Sequence, residues 1–126
     1  MLPRRLRISK SATDTLKLLK ARTGLTPNIV CRMALIMSLE RGKQGGESHP
    51  EQVGSEFNAT TFFGEFALAF EALLTQVHGK LDAKTCATVI ASHVDNGLEI
   101  LRKSRSLLEL IEHSAPKSSP DPGVRA

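Results

Sequence analysis

One helix in this chain constrains everything else: the stretch "TPNIVCRMALIMSLER", residues 26 to 41, is apolar almost all the way round. Thr26 suits the N-cap, and Pro27 falls at the first helical position, where a missing N–H costs nothing. Ile29, Val30, Met33, Ile36 and Met37 form one apolar stripe, and Cys31, Leu35 and Leu39 form part of another. Only a narrow polar strip remains at Asn28 and Arg32, with a polar end at Ser38, Glu40 and Arg41. An ordinary amphipathic helix covers about a third of its surface, whereas this one needs nearly all of it covered. It must lie at the centre of a domain or at a subunit interface.

The residues before it frame that helix. In "RRLRI", residues 4 to 8, Arg5 and Arg7 alternate with Leu6 and Ile8, the period of a short strand with one basic face. Ser9 or Ser11 caps a helix running to about Thr23, with Ala12, Leu16, Leu19 and Thr23 on its inner stripe. Lys10, Lys17 and Lys20 fall within roughly a quarter turn on another face. Gly24 sits where a left-handed C-cap belongs. Strand, helix, tight turn, helix is the order of a ribbon-helix-helix unit, in which two strands pair across a dimer and enter a DNA groove. On that pattern the apolar second helix packs against a copy of itself through Ile29, Val30, Met33, Ile36 and Met37, and Arg5 and Arg7 face DNA.

The rest of the chain reads as further helix. Residues 43–55, Gly- and Ser-rich, read as a flexible linker. "EFNATTFF" holds a short strand over residues 56–59 or leads directly into a helix. From about Thr61 to His78 the spacing of Phe62, Phe66, Ala69, Leu73 and Val77 is helical, and the five phenylalanines read as core rather than as a base-stacking platform. Asp82 caps a helix from about 83 to 96 with Ala83, Ala87, Ile90 and Val94 inward, and Gly97 kinks or ends it. "LEILRKSRSLLELIEH" continues in helical period. The Pro- and Ser-rich residues 114–126 are expected to be disordered. The fold class is therefore mainly α and single-domain. It has a ribbon-helix-helix-like unit over residues 1–42, then two or three further helices over 56–113.

Charge narrows the function. The net +4 conceals an asymmetry: residues 1–43 hold ten Lys or Arg and two acids, a balance of +8, and the remainder carries −4. Such polarisation suits a polyanion. No apolar run approaches the roughly 18 residues of a membrane span, and no apolar segment follows the basic start as in a secretory signal, so cytoplasmic residence is the expectation. Cys31 and Cys86 are far apart, form no CxxC pair and have no His at ligand spacing, so they read as small buried hydrophobes and no metal is expected. His49, His78, His93 and His113 make no recognisable triad; His93, with Asp95 and Asp82 nearby in sequence, reads as structural. "GKQGGES" lacks the order of a phosphate loop. The chain reads as a binding protein, with no enzyme activity and no cofactor.

Three stretches, "LPRRLRISKSATDTLKLLKARTGLTPNIVCRMAL", "EFNATTFFGE" and "HVDNGLEIL", resemble the DndE family, small subunits of the DNA phosphorothioation (DNA sulfur modification) system. The resemblance covers most of residues 2 to 105, and the N-terminal stretch is its specific part. It implies a small helical DNA-binding protein, a homotetramer, working beside cysteine desulfurase and iron–sulfur subunits that replace a non-bridging phosphate oxygen with sulfur. With no sulfur-handling motif here, the chemistry falls to those partners. A helper that holds backbone needs phosphate contacts more than base contacts. The expected contacts to double-stranded DNA are Lys10, Lys17 and Lys20, supported by Arg5, Arg7 and Arg22, and a preference for nicked duplex is a further expectation. The alternatives are a sequence-specific ribbon-helix-helix repressor and a structural adaptor that meets an acidic protein.

Overall fold

The first strand, β1 (Arg5–Arg7), keeps the expected alternation: Leu6 and Ile8 are buried, and Arg5 and Arg7 are exposed. Its partner, however, is in the same chain. In this computed structural model, which describes residues 1–116, β1 pairs antiparallel with β2 (Glu56–Asn58), placing Leu6 opposite Phe57 and Arg7 opposite Glu56. The short strand anticipated at residues 56–59 therefore exists. It supplies within the chain the ladder that a ribbon-helix-helix protein would draw from a second subunit, which corrects the ribbon part of the sequence reading.

Helix α1 (Lys10–Thr23) starts at Ser9, whose side chain accepts from the Ala12 amide and donates to Asp95 Oδ1, fastening the helix start to α5 (Ala83–Leu101). Ala12, Leu16 and Leu19 are buried, and Thr23 is half-buried. Gly24 closes the helix at φ +80, its amide bonding the Lys20 carbonyl. Helix α2 (Pro27–Glu40) follows with Thr26 as N-cap residue, although the Thr26 hydroxyl donates to Asn28 Oδ1 instead of bonding a backbone amide.

The apolar circumference of α2 is covered chiefly by α5. Gly97 lies at their closest approach, where a Cβ would collide with the Ala34 carbonyl; the helix neither kinks nor ends there but continues to Leu101. Val30 and Met37 are buried in this core, so they are not free to meet a copy of the chain. The need that α2 seemed to have for a second subunit is largely met by α5.

Residues 43–55 are tied down. A 3₁₀ turn at Lys43–Gly46 lies against α5, Ser92 Oγ donates to the Gly45 carbonyl, and the Ser48 amide donates to Ser92 Oγ. Further on, the Gly54 amide bonds the Ile8 carbonyl at 2.7 Å.

The helix expected over Thr61–His78 is broken. Helix α3 (Ala59–Phe63) ends at Gly64, φ +59, followed by a 3₁₀ turn to Phe66 and helix α4 (Ala67–His78). The break rotates the register, so the buried set is Phe62, Phe63, Phe70 and Leu74. Phe66, Ala69 and Leu73, expected inside, are exposed. On α5 the inward residues are Cys86, Val89, Ile90, Val94, Leu98 and Leu101; Ala83 is exposed and Ala87 half-buried. The helical period beyond Gly97 stops at Arg102, and α6 (Leu107–Ser114) starts afresh with Ser106 as its cap. The expected disordered tail begins with Ser114, which still belongs to α6; residues 117–126 lie outside the described residues.

Candidate nucleic-acid interface

Because Ala12, Leu16 and Leu19 lock one face of α1 into the core, its other face is presented outward on a rigid support. Lys10, Lys17 and Lys20 all lie on that outward side and are exposed. Over ten residues at ~1.5 Å rise they span about 15 Å, or about four base-pair rises of ~3.4 Å along a duplex axis. Lys10 Nζ is 3.0 Å from Asp14 Oδ2, one turn along. Lys17 and Lys20 have no ion-pair partner among the described residues.

The arginines are less free. Arg5 and Arg7 both face Glu56 of β2, at 3.4 and 3.6 Å, and Arg7 Nη1 also donates to the Gly54 carbonyl at 2.9 Å. Arg22 Nη1 donates to the backbone carbonyls of Arg102 and Ser104, each at 3.3 Å. The ion pairs are all exposed, a class worth about 0–1 kcal/mol, so a phosphate can displace the carboxylate at little cost. Thus the structure brings the three lysines together on one helix face, while Arg5 and Arg7 stand on a two-stranded ribbon and Arg22 faces the α5–α6 turn.

Of the residues expected at a subunit interface, Ile29, Met33 and Ile36 remain partly exposed. With Phe66, Phe70 and Leu73 they line an apolar groove of about 300 Å³ between α2 and α4. The Arg32 guanidinium lies 6.0 Å from the Phe66 ring centroid, and its Nε donates to the Phe62 carbonyl at 2.6 Å, bracing the two walls.

Sequence reasoning missed a polar chain through the core. His93 does not pair with Asp95 or Asp82. Its Nδ1 meets Ser38 Oγ at 2.6 Å and its Nε2 meets His78 Nε2 at 2.8 Å, while Asn96 donates to Ser38 Oγ at 2.8 Å. Burial, then the neighbouring His78, lowers the His93 pKa to about 4; burial, then Lys43, lowers that of His78. No local motif marks the pair, because His78 ends α4 and His93 lies mid-α5. Ser38 and His93 are fully buried, so the chain braces α2, α4 and α5 and offers no accessible nucleophile.

Both cysteines are buried, as expected. Burial pushes Cys31 up to about 12 and Cys86 up to about 11, holding each as an un-ionised thiol and a poor sulfur carrier. Among the described residues no group of three or more His, Cys, Asp or Glu converges as a metal site, and no helix is long and apolar enough to cross a membrane.

Comparison with known proteins gives this surface a context. The family of the DNA sulphur modification protein DndE matches residues 5–109. The fold is similar to that of DndE from Escherichia coli B7A, involved in DNA phosphorothioation modification, with 33% identity and a TM-score of 0.70, covering 78% of this chain and 97% of that one. It is also similar to a double glycine-to-lysine variant of DndE involved in DNA phosphorothioation, at 30% identity and a TM-score of 0.69, covering 79% and 97%. No curated relative matches. With a family match over most of its length and a solved relative at 33% identity, the chain belongs to the DndE family of DNA sulphur modification proteins.

Proposed function

We propose that this protein is a DNA-binding, non-enzymatic accessory subunit of a phosphorothioation complex, holding the sugar–phosphate backbone while partner subunits carry out the sulfur chemistry. One observation carries the reading: Lys17 and Lys20 stand exposed and without an ion-pair partner among the described residues, on a helix whose opposite face is fixed in the core. Lysines act on phosphates as mobile point charges, which suits backbone contact better than base readout. The lysine face, with Lys10, is the primary contact; Arg5 and Arg7 assist from β1. Nicked duplex, which bends more readily onto such a surface, is the favoured ligand, and a homotetramer assembled through the α2–α4 groove is the active form. The two buried, un-ionised thiols accord with sulfur being handled elsewhere.

A sequence-specific repressor is the less favoured reading, because its DNA-reading ribbon needs β1 to pair between subunits, and β1 pairs with β2.

Fluorescence anisotropy with end-labelled duplexes, intact and singly nicked, in several sequences and at a series of salt concentrations, tests the proposal. Binding should be steep in salt and indifferent to sequence, and tighter on the nicked duplex. Lys17→Ala with Lys20→Ala should weaken all sequences alike and reduce the salt slope by about two units, roughly 0.9 per lost contact. An unchanged slope removes these lysines from the site, and no binding at low salt rejects the DNA-holding role.

A further inference from the structure

The turn between α5 and α6, "RKSRS" at residues 102–106, carries three cations in the half of the chain whose net charge is acidic. We propose that Arg102, Lys103 and Arg105 form a second phosphate-holding limb beside the α1 lysines, and that Arg22 is a positioning residue that holds this turn in place. The inference rests on the backbone-holding reading above and adds to it a set of contacts outside the N-terminal unit.

The turn is built to present its charges. Its middle residue, Ser104, is fully buried; its Oγ meets His113 Nδ1 at 2.7 Å and its amide bonds the Leu101 carbonyl at 3.0 Å. Around that anchor Arg102, Lys103 and Arg105 are all exposed. Two α1-to-turn hydrogen bonds, from Arg22 to the carbonyls of Arg102 and Ser104, fix the turn against the end of α1. Arg102 also shares a surface recess with Lys10, Asp14 and Leu18 of α1. The turn therefore meets the lysine face at Lys10, the one of the three lysines that lines this recess.

The local acids do not cancel this charge. Glu99 pairs with Arg102 at 3.3 Å, but both side chains are mostly exposed and the pair is weak. Glu109 Oε1 accepts the Arg105 backbone amide at 3.0 Å, and the Glu109 amide in turn donates to Ser106 Oγ, so that carboxylate caps α6. Lys103 and Arg105 have no ion-pair partner among the described residues. Three cations with no apolar residue among them suit a polyanion; the recess shared with Lys10 makes that polyanion the same DNA.

The test compares the parent protein, the Lys17→Ala/Lys20→Ala variant, and Arg102→Ala/Lys103→Ala/Arg105→Ala, each variant with a thermal melt matching the parent. Anisotropy against the duplexes above should show the turn variant weakened on every sequence, with the salt slope down by about two to three units. If its slope is unchanged while that of the Lys17/Lys20 variant falls, the turn does not touch DNA and its cations serve an acidic protein surface instead; the backbone-holding reading would survive. If the parent fails to bind at low salt, that reading falls and takes this inference with it. For Arg22, Arg22→Ala should lower the slope in the parent yet add nothing in the turn variant, the non-additivity expected of a residue acting through another. An equal loss of about one unit in both backgrounds would make Arg22 a direct phosphate contact.

Discussion

Two imidazoles whose Nε2 atoms lie 2.8 Å apart share one proton between them, so one ring must accept. Ser38 and Asn96 continue the chain on one side; Lys43 and Glu47 influence His78 on the other. Both histidine pKa values are lowered, by burial first. The unfolded chain therefore binds more protons than the folded one between about 6.5, where ordinary histidines titrate, and about 4, the His93 value. The stabilisation is full above that window and is lost as pH falls through it. Urea melts from pH 7.5 to pH 4.5 should show stability falling on the acid side, and His78→Leu should flatten only part of that slope, because the burial that chiefly lowers His93 remains. Wild-type stability that is level across the range would mean the pair is not coupled to folding. Capping residues such as Ser9 and Asp82 were legible in the sequence because their partners lie three residues away; the histidine pair was not, because α4 and α5 must fold back on each other before it exists.

Among the elements, α2 and α5 set the architecture, and Gly97 sets their separation. A Cβ there meets backbone atoms of Ala34, which cannot rotate aside as a side-chain tip can. Gly97→Val should cost about 2–3 kcal/mol by overpacking, roughly 10 °C in Tm by thermal melt, even though glycine is itself a poor helix former. A variant as stable as the parent would refute the close approach. Helix α1 was legible almost to the residue, since its cap, stripe and closing glycine all act within one turn. The stretch 61–78 was not. Its apolar residues fit a single helical stripe well, and only the turn at Gly64, braced by Arg32 against the Phe62 carbonyl, re-aims Phe66 and Leu73 outward.

For the whole molecule, the turned-out side chains matter most. Ile29, Met33, Ile36, Phe66 and Leu73 form an apolar groove that the described elements leave open. Leu68, on the same helix as Leu73, is 84% exposed. Apolar surface of this kind favours association, and in the proposed tetramer it is the meeting face. Met33→Glu places an unpaired charge in the groove and should reduce the particle to a smaller species by light scattering after size exclusion. A particle of unchanged size would put the interface elsewhere.

From its sequence alone the chain could be read as mainly helical, as DndE-like, and as carrying its positive charge on one strand and one helix. The helical content and the charge placement arise from local periodicity, caps and charge order, which no later contact alters, whereas the DndE likeness rests on the resemblance of three particular stretches. The tertiary structure decided what covers α2 and what pairs with β1. It also decided which lysines stand without a carboxylate partner among the described residues, and it set Arg102 in one recess with Lys10. Each depends on residues tens of positions apart meeting in space: Gly97 with Ala34, Leu6 with Phe57, Arg22 with Ser104. Periodicity identifies a face that must be covered but not the partner that covers it, because α5 and a second subunit offer the same apolar surface to α2.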